Sequence, residues 1–138
     1  MKNCAQYVEL LYACWTIGAC AIPINIRLHP RESAFILDDA GTRGCFVTDD
    51  ADTASINSAR SAGATQFIDV DGRDYRKLLR STAATPRDES RATEAAWLFY
   101  TSGTTGRPKG VILTHRNLLA MTLNYLADVD RAMVGEHL

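Results

Sequence analysis

Two short apolar runs, Ala95 to Tyr100 and Gly110 to Leu113, bracket a loop rich in Gly, Ser and Thr. This bracket limits the fold more than any other feature of the 138-residue chain. Each run has the length and content of a strand, and the second leads directly into a helical pattern from about Arg116 to Asp128. That pattern sets Leu118, Leu119, Thr122, Tyr125, Leu126 and Val129 on one face. The prediction for this region is strand, protruding loop, strand, helix.

Upstream, Tyr7, Leu10, Leu11, Cys14, Trp15 and Ile17 follow the spacing of a helix facing a core, and Gly18 supplies its stop. Ala19 to Ile24 reads as a strand buried on both faces, with Pro23 near its end. Pro30 suits the first turn of a second helix, with Phe35, Ile36 and Leu37 on its inner side and Gly41 as its terminator. The alternation continues with a strand at Cys45 to Val47, a helix from Ala51 to Ala62 ending at Gly63, and a strand at Gln66 to Val70. Ser81 to Thr93 is polar and contains Pro86, so it reads as a surface linker. Strands alternating with helices predict an α/β layered fold with a mostly parallel sheet and flanking helices.

The apolar run from Leu10 to Ile24 superficially resembles a secretory leader. Glu9, Gly18 and Pro23 favour a buried helix and strand instead, and the run is too short to span a membrane. Fifteen basic against sixteen acidic residues offer no broad positive field for nucleic acid or an anionic membrane. Cys4, Cys14, Cys20 and Cys45 form no C-x-x-C pair and lack a histidine at zinc-ligand spacing, so they are expected to be reduced core thiols of a cytoplasmic protein. Trp15 and Trp97 fall in apolar runs and are expected in the core, whereas His29 and His137 are expected in solvent.

The chemistry lies in Tyr100-Thr101-Ser102-Gly103-Thr104-Thr105-Gly106-Arg107-Pro108-Lys109-Gly110. Three glycines allow close backbone approach to a ligand, the four Ser and Thr hydroxyls offer neutral donors, and Lys109 adds a positive charge. Successive backbone N–H groups in such turns make an anion-binding concavity suited to a polyphosphate. A Walker A loop needs two glycines four residues apart, then Lys, then Ser or Thr. Here two residues separate Gly103 from Gly106, and Gly110 follows Lys109, which argues against that class. The plainer alternative is a hydroxyl-rich hairpin loop with a solvated lysine.

The complete string resembles the phosphate-binding signature of the adenylate-forming, or AMP-binding, superfamily, which includes acyl-CoA synthetases, peptide-synthetase adenylation domains and luciferases. Val111 to Leu118 resembles the family's continuation, a strand and then a helix. Trp15 to Asn25 resembles a second motif, and Leu28 to Glu32 with Ile36 to Gly41 resembles the following helix in fatty-acyl-CoA synthetases. The resemblance is weakest between about Asp49 and Glu94. It implies that residues 1–138 are part of the large N-terminal domain of such an enzyme, with the C-terminal domain absent.

It further implies ATP-dependent activation of a carboxylic acid, of the fatty type, to an acyl-adenylate and then an acyl-CoA. ATP with Mg2+ would be the cofactor and coenzyme A the co-substrate, with a carrier-protein thiol left open as the alternative acceptor; ATP and the acid would be small-molecule substrates, and the rest of the enzyme would be required. Thr101, Ser102, Gly103, Thr104, Thr105, Gly106 and Lys109 match the loop that closes over the β- and γ-phosphates. Thr114 and His115 sit where a helix cap belongs, so His115 is expected to act structurally. The family's later parts, a Tyr-Gly-x-Thr-Glu element, an Asp for the ribose and a C-terminal Lys, do not occur before Leu138. The expectation is an internal slice that requires the rest of the enzyme and is inactive alone. The second reading is a non-catalytic remnant with at most weak phosphate binding or an association role.

Overall fold

A computed structural model describes residues 1–48, 56–57, 60–61, 66–81, 92–101 and 107–129. The first helix, α1 (Ala5–Thr16), turns Tyr7, Leu10, Leu11, Cys14 and Trp15 inward to half-burial and leaves Val8 and Tyr12 exposed, as the periodicity requires. It ends in a Schellman turn: Gly18 takes φ +72°, the Ala19 N–H donates to the Cys14 carbonyl at 2.8 Å, and the Gly18 N–H to that of Trp15 at 3.3 Å. Ile17 does not join the inner face. It caps the helix, where the chain is already leaving the helical path, and is 50% exposed.

The continuous strand expected from Ala19 to Ile24 does not form. Only Ala21 pairs, in parallel with Trp97, through Ala21 N–H to Ala96 O at 3.1 Å and Leu98 N–H to Ala21 O at 2.9 Å. Pro23 has no N–H to donate, so the ladder has no means to extend through it. Next comes α2 (Pro30–Asp39), with Ser33, Ile36 and Leu37 buried. His29 is its N-cap: Nδ1 accepts from the Arg31 N–H at 3.2 Å, while the Glu32 carboxylate accepts from the His29 N–H at 3.0 Å. A second Schellman turn, with Gly41 at φ +59°, closes α2.

Strands β1 (Gly44–Val47) and β2 (Gln66–Asp69) pair in parallel, from Gly44 opposite Gln66 to Val47 opposite Asp69. Most of the helix expected at Ala51 to Ala62, and Gly63 after it, lies outside the described residues; Ile56, Asn57, Arg60 and Ser61 are helical. The Arg60 guanidinium sits 5.4 Å from the Phe67 ring centroid and ties this segment to β2. An unexpected helix, α3 (Arg73–Arg80), follows β2 and packs on it. Its one buried residue, Tyr75, meets Phe46 of β1 edge-to-face at 6.5 Å and donates its hydroxyl to Glu9 of α1 at 2.9 Å. The linker expected at Ser81 to Thr93 lies mostly outside the described residues.

The two strands expected on either side of the loop form, and they pair with each other as a hairpin. Strands β3 (Ala95–Thr101) and β4 (Lys109–Thr114) pair antiparallel, and α4 (His115–Asp128) starts at once from the end of β4. The α/β class holds, with the described strands in two two-stranded sheets, one parallel and one antiparallel, rather than in one mostly parallel sheet. Among the described residues, the buried apolar ones are Ala21, Ile36, Leu37, Val70, Tyr75 and Ala96. Both tryptophans serve this core: Trp15 donates Nε1–H to the Ala96 carbonyl at 2.9 Å and meets Trp97 edge-to-face at 5.9 Å. The hairpin side is thinly covered. Val111 and Ile112, on opposite faces of β4, are 47% and 61% exposed, and Leu119, Tyr125 and Val129 of the expected inner face of α4 are exposed while Leu118 and Leu126 are half-buried. Among the described residues, no helix is long and apolar enough to cross a membrane.

Candidate functional site

The site is built on the β3–β4 hairpin. Its pairing runs Trp97 opposite Leu113, Phe99 opposite Val111, Tyr100 opposite Gly110, and ends with Thr101 opposite Lys109. Directly opposed residues of an antiparallel pair share a face with Cα atoms about 4.5–5.5 Å apart, so a hydroxyl and an ammonium project side by side at the hairpin mouth. Both residues are exposed. Of the seven expected site residues, the structure therefore brings Thr101 and Lys109 together. Ser102, Gly103, Thr104, Thr105 and Gly106 lie outside the described residues.

One step back from the mouth the hairpin is tightly organised. A Cβ placed on Gly110 would lie 3.1 Å from Leu98 Cδ1 and 3.2 Å from Tyr100 Cζ, so the tyrosine ring lies close over the bare backbone of this glycine and would have to shift to admit a side chain. The Tyr100 hydroxyl donates to Asp39 Oδ2 at 2.6 Å. Burial, then the hydrogen bond and charge of Asp39, push the Tyr100 phenol up to about 12. It stays protonated across the physiological range and remains a donor. No local pattern announces this link, because Asp39 and Tyr100 are 61 residues apart in sequence.

Behind the mouth, Thr114 caps α4: its Oγ1 accepts from the Asn117 N–H at 3.2 Å, and Asn117 Oδ1 accepts from the Thr114 N–H at 2.9 Å. His115 is the first residue of α4, where the cap accounts for the polar pair. All four cysteines are free and half-buried. Burial raises the thiols of Cys14, Cys20 and Cys45, which suppresses thiolate and makes them poor nucleophiles near neutral pH.

Magnesium is the metal the sequence resemblance implies, and the described donors do not suit it. Mg2+ takes carboxylate, phosphate and water oxygens, whereas the hairpin mouth offers a threonine hydroxyl and a lysine cation. Among the described residues, no group of three or more His, Cys, Asp or Glu could hold a metal ion. What the mouth suits is an anion.

The chain belongs to the AMP-binding enzyme family, whose model matches residues 1–136. A long-chain-fatty-acid–CoA ligase, FadD13 of Mycobacterium tuberculosis, is 36% identical over 137 residues, covering 94% of this chain and 26% of that protein. The sulfoacetate–CoA ligase of Cupriavidus necator is 37% identical over 128 residues, covering 90% of this chain and 25% of the relative. Among solved structures, the N-terminal domain of FACL13 from Mycobacterium tuberculosis, bound to an inhibitor, matches with a TM-score of 0.80 and 32% identity over 93% of this chain and 33% of its own. The chain thus spans about a quarter of the length of the curated relatives it matches.

Proposed function

We propose that this chain is the ATP-phosphate-binding segment of an adenylate-forming acid–thiol ligase, with Thr101, Ser102, Gly103, Thr104, Thr105, Gly106 and Lys109 gripping the β- and γ-phosphates. The observation that carries the reading is the terminal cross-strand pair, which sets Thr101 and Lys109 at the base of a loop that carries Ser102, Gly103, Thr104, Thr105 and Gly106. In such a ligase a carboxylate attacks the α-phosphorus of Mg-ATP, pyrophosphate leaves, and a thiol then displaces AMP from the acyl-adenylate. Negative charge shifts onto the leaving pyrophosphate as the bond to the α-phosphorus breaks. Lys109 and the loop donors would stabilise that charge, and a preorganised donor in this role is worth about 2.7–4 kcal/mol.

Coenzyme A is the proposed acceptor and a fatty acid the proposed substrate, since FadD13 carries both in its name. The sulfoacetate ligase activates a very different acid at similar identity, so the hairpin is read as serving ATP in common while the acid is chosen elsewhere. Magnesium would arrive with the nucleotide, held by its phosphates and by groups beyond this hairpin. We place the enzyme in the cytoplasm, where ATP and coenzyme A are available. The test is carboxylate-dependent exchange of labelled pyrophosphate into ATP by the intact enzyme carrying this segment. Thr101→Ala and Lys109→Ala should each slow exchange by about 10²–10³-fold. Unchanged exchange in both would overturn the assignment.

A further inference from the structure

We propose that Asp39 is a positioning residue for the loop, acting through Tyr100 to hold the mouth of the β3–β4 hairpin against the end of α2. This rests on the reading of residues 101–109 as the phosphate loop. Three observations meet at Tyr100. Its backbone is the strand residue immediately before Thr101, its ring lies on Gly110 of the opposite strand, and its hydroxyl reaches Asp39 at 2.6 Å. One side chain therefore joins both strands of the hairpin to a third element at the point where the loop begins.

The anchor is firm. Asp39 is the last residue of α2, two places after Leu37, and Ile36 and Leu37 are 2% and 4% exposed. The Schellman turn that follows, with Thr42 N–H donating to Leu37 O and Gly41 N–H to Asp38 O, both at 3.0 Å, fixes the direction of the chain there. The choice of residue also needs a reason. A carboxylate at a helix C-terminus opposes the macrodipole, and α2 has no basic residue in its last turn to offset Asp38 and Asp39. A strong hydrogen bond from a phenol offsets that placement at Asp39. Positioning matters here because the loop would contribute donors, and donors aid adenylyl transfer only when their geometry is set in advance.

The test uses the intact enzyme carrying this segment, with Asp39→Ala, Asp39→Asn, Tyr100→Phe and the Asp39→Ala/Tyr100→Phe pair. Hydrogen exchange is followed at β3 and β4 beside the loop, and at the β1–β2 pair as a remote reference. Loss of one such bond should speed exchange at the hairpin end about five- to tenfold, with β1–β2 unchanged. The double variant should be no worse than either single one, and Asp39→Asn, which keeps an acceptor oxygen, should recover part of the protection. Exchange unchanged at the hairpin, or raised equally in β1–β2, would overturn the proposal, as would additive effects. A kinetic arm separates it from the function on which it rests. With Thr101→Ala as reference, the Asp39 and Tyr100 variants should raise KM for ATP or lower kcat while leaving KM for the acid in place. If Thr101→Ala is impaired and they are not, the positioning role fails and the phosphate loop stands. If the hairpin loosens but no variant, Thr101→Ala included, affects ATP use, the tether stands and the phosphate assignment fails.

Discussion

Replacing Gly110 with alanine is the sharpest probe of how the hairpin carries its loop. The added methyl would lie 3.1 Å from Leu98 Cδ1 and 3.2 Å from Tyr100 Cζ, whereas comfortable carbon contacts begin near 3.5–4.0 Å. Leu98 is aliphatic and can rotate, but the Tyr100 ring is held at its far end by the 2.6 Å bond to Asp39. Either the ring tilts and stretches that bond, or the strands separate at the loop. Overpacking of this kind costs about 1–3 kcal/mol. If the cost falls on local opening, exchange at β3 and β4 beside the loop should rise between about fivefold and about a hundredfold. Hydrogen exchange read by mass spectrometry on the intact enzyme measures this directly. In a Tyr100→Phe background the ring is no longer tethered, so the same alanine should cost less, a coupling that a double-mutant cycle reports. An alanine variant with wild-type exchange, or with equal cost in both backgrounds, would refute the reasoning.

Tyr75 and Tyr100 have phenols raised to about 12, by burial first and then by Glu9 and Asp39 respectively, and burial also raises that of Tyr7, so absorbance at 295 nm should show at least two tyrosines ionising well above pH 10. Because folding raises these values, the stability they contribute is complete below the unfolded phenol value near 10 and is lost as pH climbs from there towards 12. Tyr100→Phe should remove one of these late steps. Thr114→Ala should destabilise α4 by about 0.5–2 kcal/mol in denaturation midpoints, and substitution of His115 should act through stability with turnover retained. Residues 1–138 expressed alone should show no carboxylate-dependent pyrophosphate exchange and should self-associate in sedimentation, because Val111, Ile112, Leu119, Tyr125 and Val129 stand exposed; robust exchange would show that the chain suffices.

What the sequence made legible was local. Gly18 and Gly41 end α1 and α2 because each meets the positive φ of a Schellman turn, and Thr114 caps α4 by a side-chain bond within the same turn. The hairpin was readable because its two strands flank a loop that neither strand nor helix periodicity continues. The misses needed tertiary structure. Ala19 to Ile24 has the composition of a strand, but only Ala21 finds a partner, on β3. Helix α3 has Tyr75, Leu78 and Leu79 as its apolar residues among charged ones, and its packing depends on Phe46 and Glu9, distant in sequence. His29 is exposed, as expected, and in addition caps α2, a local use of histidine outside the usual Ser, Thr, Asp and Asn set. Of the candidate site, Thr101 and Lys109 were readable from the motif, while the Asp39 contact behind them was not.

In the proposed function Lys109 lies beside the terminal phosphates of ATP. An ATP derivative carrying a reactive acyl group on its γ-phosphate transfers that group to amines next to the phosphates, and peptide mass spectrometry of the intact enzyme then identifies the acylated lysine. The predicted result is acylation of Lys109, suppressed by excess ATP or inorganic triphosphate and unaffected by AMP, which lacks the phosphates the loop would hold. ATP-protected acylation at another lysine with Lys109 untouched, or protection of Lys109 by AMP as strong as by ATP, would contradict it.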